Sequence, residues 1–208
     1  EIFNRLTTGH LLVFDQDADA KHNVERFQTN LQGRSFTFIE ANFRYLEKYL
    51  RFHGIRQVDG IVADFGVSFH QFDEANRGFS TRFDGQLDMR MNQNSWRNAA
   101  QLLNEIDEKD LIHILSAYGE IKNARTLAQR IISKRAQAPL ASTEQLKEAA
   151  MEVAPRGREL KYLAQLYQAI RIEVNEEMKV IEELLEQVPN VLKEGGRFAG
   201  ITYHSLED

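Results

Sequence analysis

The sequence predicts an α/β fold, a parallel sheet built by strand–helix alternation and interrupted by a long helical block. Three observations carry this. Residues 10–64 alternate short strand-forming runs with helical periods, the pattern of right-handed crossovers between parallel strands. From Asn94 to Val188 the apolar spacing is helical, broken at Pro155-Arg156-Gly157-Arg158. A last strand-like run, Arg197 to Tyr203, follows a Gly195-Gly196 turn.

Taken in order, Glu1 to Leu6 reads as the tail of a helix, with Gly9 as its stop. His10 to Phe14 is a strand closed by Asp15-Gln16-Asp17. A carboxylate at such a strand end can accept both hydroxyls of a ribose, or it can be an ordinary loop acid. Asp19 to Leu31 places Val24, Phe27 and Leu31 on one helical side, ended by Gly33. Ser35 to Ala41 alternates and is rich in strand formers. Phe43 to His53 is a helix with Leu46, Tyr49 and Leu50 inward; Phe43 is a core anchor or one wall of an adenine slot. Ile61-Val62-Ala63, between Gly60 and Asp64, is a run suited to a strand buried on both faces.

Helices then follow over Asn94–Asn104, Glu108–Tyr118 and Ile121–Ala136. Another is capped by Ser142, with Gln145 at the capping-box position. Helical spacing resumes from Leu160 to Val188, and Arg156, Arg158, Lys161 and Arg171 make this region locally basic. Such cations are solvated helix faces or a phosphate-contacting surface.

Composition sets bounds. The 208 residues suffice for one sizeable core or one domain with an insertion. With 42% hydrophobic and 27% charged residues the chain should fold as a globular domain. No cysteine is present, which excludes disulfides and thiolate metal sites and is compatible with the cytoplasm; no metal site is expected. No run is long enough for a membrane span. A net charge of −5 gives no support for wholesale electrostatic capture of nucleic acid. There is no G-x-G-x-x-G and no Walker motif, which disfavours a dinucleotide oxidoreductase.

The least generic stretch is Val58 to Met91. After Asp64 it holds Gly66, Gly78, Gly85 and five phenylalanines, fits no period, and is long enough to be functional. DFGVSFHQFDEANRGFSTRFDGQLDMRM resembles the signature DLGVSS-x-Q-x-D-x-x-x-RGFSF-x-x-DGPLDMRM of MraW-like S-adenosylmethionine-dependent methyltransferases. Phe14-Asp15-Gln16-Asp17, Tyr118-Gly119-Glu120, Gln168 to Asn175 and His204-Ser205-Leu206-Glu207-Asp208 agree in order and spacing. The departures are Phe65, Phe69, Gln86, Tyr203 and the segment Tyr162 to Leu166.

The resemblance implies a Rossmann-like class I methyltransferase sheet, residues 1–80 and 161–208, with an all-helical insertion at 81–160. It implies that a first strand and a G-x-G-G-H loop precede Glu1, and that further strand and helix follow Asp208. It implies N4-methylation of a cytidine in small-subunit (16S) ribosomal RNA by a cytoplasmic enzyme, with S-adenosyl-L-methionine as cofactor and the 30S subunit as partner. A homodimer is compatible with it, no membrane is involved, and a non-catalytic RNA- or partner-binding module is the alternative. Carried over by position, Asp15 would bind the cofactor ribose and Phe43 would line the adenine, while Asp64 and Gln71 would contact the cofactor. Asp64, or a carbonyl within Gly66-Val67-Ser68, would accept hydrogen bonds from the reacting amino group. His204 and Ser205 would touch a base drawn from its stack; His204 could equally be a packed structural residue. The basic helices of the insertion are the expected RNA-docking surface.

Overall fold

The computed structural model describes residues 2–24 and 34–207, apart from the side chains of Asn23 and Phe69. Phe27, Leu31 and Gly33 of the expected second helix lie outside the described residues. The fold is α/β, with short parallel sheets and many helices.

Contacts divide the chain into two compact units, residues 1–64 with 179–201 and residues 65–178 with 202–208. In the first unit the order is α1 (Ile2–Arg5), β1 (Gly9–Asp15), α2 (Ala20–Val24), β2 (Arg34–Glu40), a 3-10 turn (Phe43–Tyr45), α3 (Leu46–Phe52) and β3 (Val58–Asp64). β1 and β2 pair in parallel, from Gly9 opposite Arg34 to Asp15 opposite Glu40. β3 pairs in parallel with β4 (Leu192–Ile201). Most of α10 (Glu177–Val191) belongs here and locks onto α3. The amide of Gln187 donates to the Arg44 carbonyl at 2.8 Å and accepts from the Glu47 N–H at 2.9 Å. Arg44 Nε also meets Glu183 at 2.5 Å.

Two details of this unit depart from the sequence expectations. β3 is not buried on both faces: Val62 is 58% exposed, and β4 is its one strand partner among the described residues. Gly195-Gly196 is not a turn before the last strand but an irregularity within it. Two steps along β3, from Val58 to Gly60, match five along β4, from Leu192 to Arg197. The surplus residues bulge, and Gly195 takes φ +79°. β4 accordingly starts earlier and ends at Ile201 rather than Tyr203.

The second unit is largely helical: α4 (Phe69–Asp73), α5 (Ala99–Glu105), α6 (Glu108–Ala117), α7 (Ala124–Gln137), α8 (Thr143–Met151) and α9 (Glu159–Val174). The predicted capping box at Ser142 and Gln145 starts α8. Leu102, Leu103, Leu111, Leu115, Leu127, Ile131, Leu146, Leu166 and Ile170 interlock in one core. The segment 77–91 is part of that core: Phe79, Leu87, Met89 and Met91 are buried in it. A Cβ on Gly85 would stand 2.1 Å from the Ala75 carbonyl oxygen, so only glycine fits there.

A polar clasp fixes this segment. Arg77 Nη2 donates to the carbonyls of Arg90 and Met91, each at 3.1 Å. Asn175 Nδ2 donates to the Met89 carbonyl at 2.8 Å, and Asn175 Oδ1 accepts from the Met91 N–H at 2.8 Å. Asn175 also ends α9, and Glu176 at φ +51° turns the chain into α10. One continuous helical period in the sequence thus becomes two helices. Beside it Arg171 grips Glu177 through two bonds of 2.8 and 3.0 Å. Burial pushes the Glu177 carboxyl above its ordinary range, against the pull of Arg171 and reinforced by the like charge of Glu207.

Two predictions follow from these contacts. Asn175→Ala strands buried backbone groups and should lower the unfolding free energy by about 2–3 kcal/mol, read from urea denaturation. Arg171→Met leaves a buried, unpaired carboxylate and should cost about 3–5 kcal/mol at neutral pH. The folded state favours protonated Glu177, so this loss should shrink as pH falls through the raised pKa toward the ordinary value of 4.5. A pH-independent loss in urea titrations would refute the assignment.

Candidate functional site

The residues singled out from the sequence fall on both units. In the first, Asp15 and Phe43 occupy the carboxyl end of the β1–β2 pair. Asp15 is exposed; its Oδ1 accepts the Asp17 N–H at 2.8 Å, and Asp17 in turn accepts the Asp19 N–H at 3.2 Å. These two turns curl the chain away as soon as the strand ends. Asn42 Nδ2 donates to Gln16 Oε1 at 2.8 Å, tying the loop after β1 to the loop after β2. Asn42 Oδ1 accepts the Arg44 N–H at 2.9 Å. This joint carries Phe43, which is half-buried. Asp64 closes β3 opposite Ile201, and it is exposed.

In the second unit, Ser68 and Gln71 start α4 by a reciprocal cap. Ser68 Oγ accepts the Gln71 N–H at 3.4 Å, and Gln71 Oε1 accepts the Ser68 N–H at 3.2 Å. Gln71 is 4% exposed, so much of its surface is committed to local structure. The pattern Ser-x-x-Gln announces such a cap, and sequence reading passed over it.

His204 and Ser205 lie on a tight turn that one side chain organises. Glu207 Oε2 accepts the N–H groups of Tyr203 at 2.8 Å and His204 at 3.3 Å. The Glu207 N–H returns to the His204 carbonyl at 3.0 Å. The Leu206 N–H donates to His204 Nδ1 at 3.2 Å. A bond accepted at Nδ1 leaves the ring proton on Nε2. Gly66, at φ +99°, adopts a conformation side chains disfavour, and a Cβ there would stand 3.6 Å from the Tyr203 ring. The turn therefore lies beside Gly66, two residues before Ser68. Sequence reading noted Tyr203 as a departure and Glu207 within the run from His204 to Asp208 but assigned neither a part in shaping the turn.

The expected basic surface is partly neutralised. In α7, Arg130 and Lys134 pair with Glu152 of α8's end, and Lys134 also approaches Glu148 at 3.8 Å. Arg135 donates to the Leu103 carbonyl. Among the described residues no cluster of three or more His, Asp or Glu is disposed to hold a metal ion, and no helix is long and apolar enough to cross a membrane.

In the first unit, exposed acids at the carboxyl ends of parallel strands suit binding of polar ligands; in the second, the His204 turn presents a ring N–H donor. Comparison with known proteins identifies the family to which the sequence belongs. The family described as the MraW methylase family matches residues 1–208. Ribosomal RNA small subunit methyltransferase H of Cytophaga hutchinsonii is 50% identical over 208 residues, 100% of this chain and 68% of that protein. The protein of the same name from Flavobacterium johnsoniae is 52% identical over 209 residues, covering 100% and 67%. That of Bacteroides thetaiotaomicron is 47% identical over 209 residues, again covering 100% and 67%. The chain belongs to the MraW methylase family and is a methyltransferase.

Proposed function

We propose that this chain contributes the transfer chemistry of an S-adenosyl-L-methionine-dependent enzyme that methylates N4 of a cytidine in small-subunit ribosomal RNA. The names of its relatives support the substrate class. The observation that carries the reading is the placement of Asp15 and Asp64 as the last residues of parallel strands, with Phe43 three residues past the end of β2.

The residues fit such a cofactor. Asp15, exposed at a polar strand end, would accept the ribose hydroxyls, and the half-buried Phe43 would line the adenine. When bound, the sulfonium supplies a methyl group for in-line displacement. The protein's work is then to hold the acceptor nitrogen about 3 Å from that methyl group, and such positioning is worth several kcal/mol. The cytosine amino nitrogen is a poor nucleophile because its lone pair is delocalised into the ring. Asp64, assisted by the Gly66–Ser68 backbone, would accept its N–H bonds and offset the positive charge that develops. His204, with the proton on Nε2, would donate to a ring acceptor of the flipped base, and Ser205 would add a hydroxyl. Gln71 would approach the cofactor while keeping its capping role.

In this reading residues 1–80 and 161–208 form the Rossmann-like part and residues 81–160 the helical insertion. By chain order α9 belongs to the former, although it packs on α5, α6 and α8. The enzyme would act in the cytoplasm on the 30S subunit.

Asp64→Ala in the complete protein should cut methylation by at least roughly 100-fold, with the circular dichroism spectrum unchanged. Mass spectrometry of cytidine from treated subunits measures it, and full activity of the variant would sink the role. For His204, a glutamine amide can reproduce a donor at Nε2 and an asparagine amide cannot. His204→Gln should therefore keep more activity than His204→Asn; the reverse order would overturn the assigned tautomer.

A further inference from the structure

Trp96 is the chain's one tryptophan, and it is 79% exposed. Its exposure is built in. The Ser95 N–H donates to the Asn92 carbonyl at 3.0 Å, and the Asn94 N–H to Asn92 Oδ1 at 2.9 Å. Arg90 Nη1 donates to the Ser95 carbonyl at 2.7 Å, and Arg90 is itself gripped by both oxygens of Asp88, at 2.9 and 2.7 Å. On the other side, Asn98 and Gln101 form a capping box that starts α5. The indole is therefore held out from a braced loop that runs directly on from the clasp around Met89–Met91.

The cation nearest the ring is Arg97, which also feels the charge of the Glu173 carboxylate. The Arg97 guanidinium lies 5.7 Å from the ring centroid. Residues 92–98 are Asn, Gln, Asn, Ser, Trp, Arg and Asn, with one cation and no acid in a chain of net charge −5. An aromatic face, a neighbouring guanidinium and short amide side chains are what an unpaired nucleobase needs for stacking and edge hydrogen bonds. Paired bases offer no free face for this. Of the cations of α7, Arg130 and Lys134 are engaged by Glu152 and Arg135 by the Leu103 carbonyl, while Arg125 is exposed without an aromatic neighbour in sequence.

We propose that Trp96, with Arg97 beside it, is a stacking platform for an unpaired base of the RNA substrate. The inference rests on RNA being the substrate, but it assigns no part of methyl transfer to this loop.

The single tryptophan makes the test direct. A short unstructured oligoribonucleotide is titrated into the protein while indole emission is followed, and anisotropy of the same labelled RNA reports binding in parallel. Emission should fall saturably, in step with anisotropy. Trp96→Ala should raise Kd on the order of ten-fold and Trp96→Phe by less; a duplex of the same composition should not quench. RNA binding with unchanged emission and an unaltered Trp96→Ala affinity would overturn the platform while leaving the RNA-methylation reading standing. No binding by anisotropy would overturn the premise of both. Weaker association of Trp96→Ala with intact 30S subunits, but not with protein-free RNA, would assign the ring to a protein contact instead and would overturn the proposal.

Discussion

The second unit depends on how the backbone of Met89 to Met91 is held. Met89 is fully buried and sits at φ +57°, a left-handed conformation that costs a non-glycine residue about 1–3 kcal/mol. It persists because the segment is bound from two sides. Its N–H reaches the Arg77 carbonyl at 2.9 Å, while Asn175 takes the Met89 carbonyl and the Met91 N–H. The same knot sets three helix ends. The N–H groups of Ala99 and Ala100 reach back to the carbonyls of Asp88 and Leu87, starting α5. Asn175 closes α9, and Glu176 redirects the chain into α10.

Sequence reading recovered what local physics encodes. The strands at His10, Ser35 and Ile61, the α8 cap at Ser142 and Gln145, and the apolar faces of α6 and α7 all emerge from periodicity and side-chain chemistry within a few residues. What escaped it depends on distant partners. The break between α9 and α10 has no proline or glycine; it exists because Asn175 bonds a segment more than eighty positions earlier. The exposure of Val62 cannot be read from three apolar residues, since such a run looks the same whether covered or not. Gly195-Gly196 looks like a turn but serves as a bulge, because β4 begins before it and must still meet β3.

The candidate site was legible in a different way. Asp15, Phe43 and Asp64 could be chosen because strand ends are visible in sequence and acids there are chemically suggestive. Ser68 and Gln71 carried a plainer message, a capping box, that a search for ligands obscured. Glu207 was invisible as an organiser because its work is to bind backbone N–H groups, which any sequence offers. Yet that carboxylate shapes the turn on which His204 stands, and the Leu206 N–H then selects which ring nitrogen keeps the proton.

The long signature therefore divides into two kinds of information. From Arg77 to Met91 its apolar residues are core, its Gly85 is a contact that admits no Cβ, and its Arg77 closes the clasp. A protein that matches this half is committed to the fold of the second unit, because each of those residues answers a packing or hydrogen-bonding demand. The earlier half is different. Asp64 and Ser68 are exposed, and Gly66 touches the His204 turn; folding of the helical unit makes no comparable demand on Asp64. A family match over both halves thus says most about architecture where it is densest. In the proposed function the chemistry hangs on a few exposed positions that packing leaves open to change, so under that proposal a substitution at Asp64 and one at Met89 should fail for different reasons, one through lost reactivity and the other through lost structure.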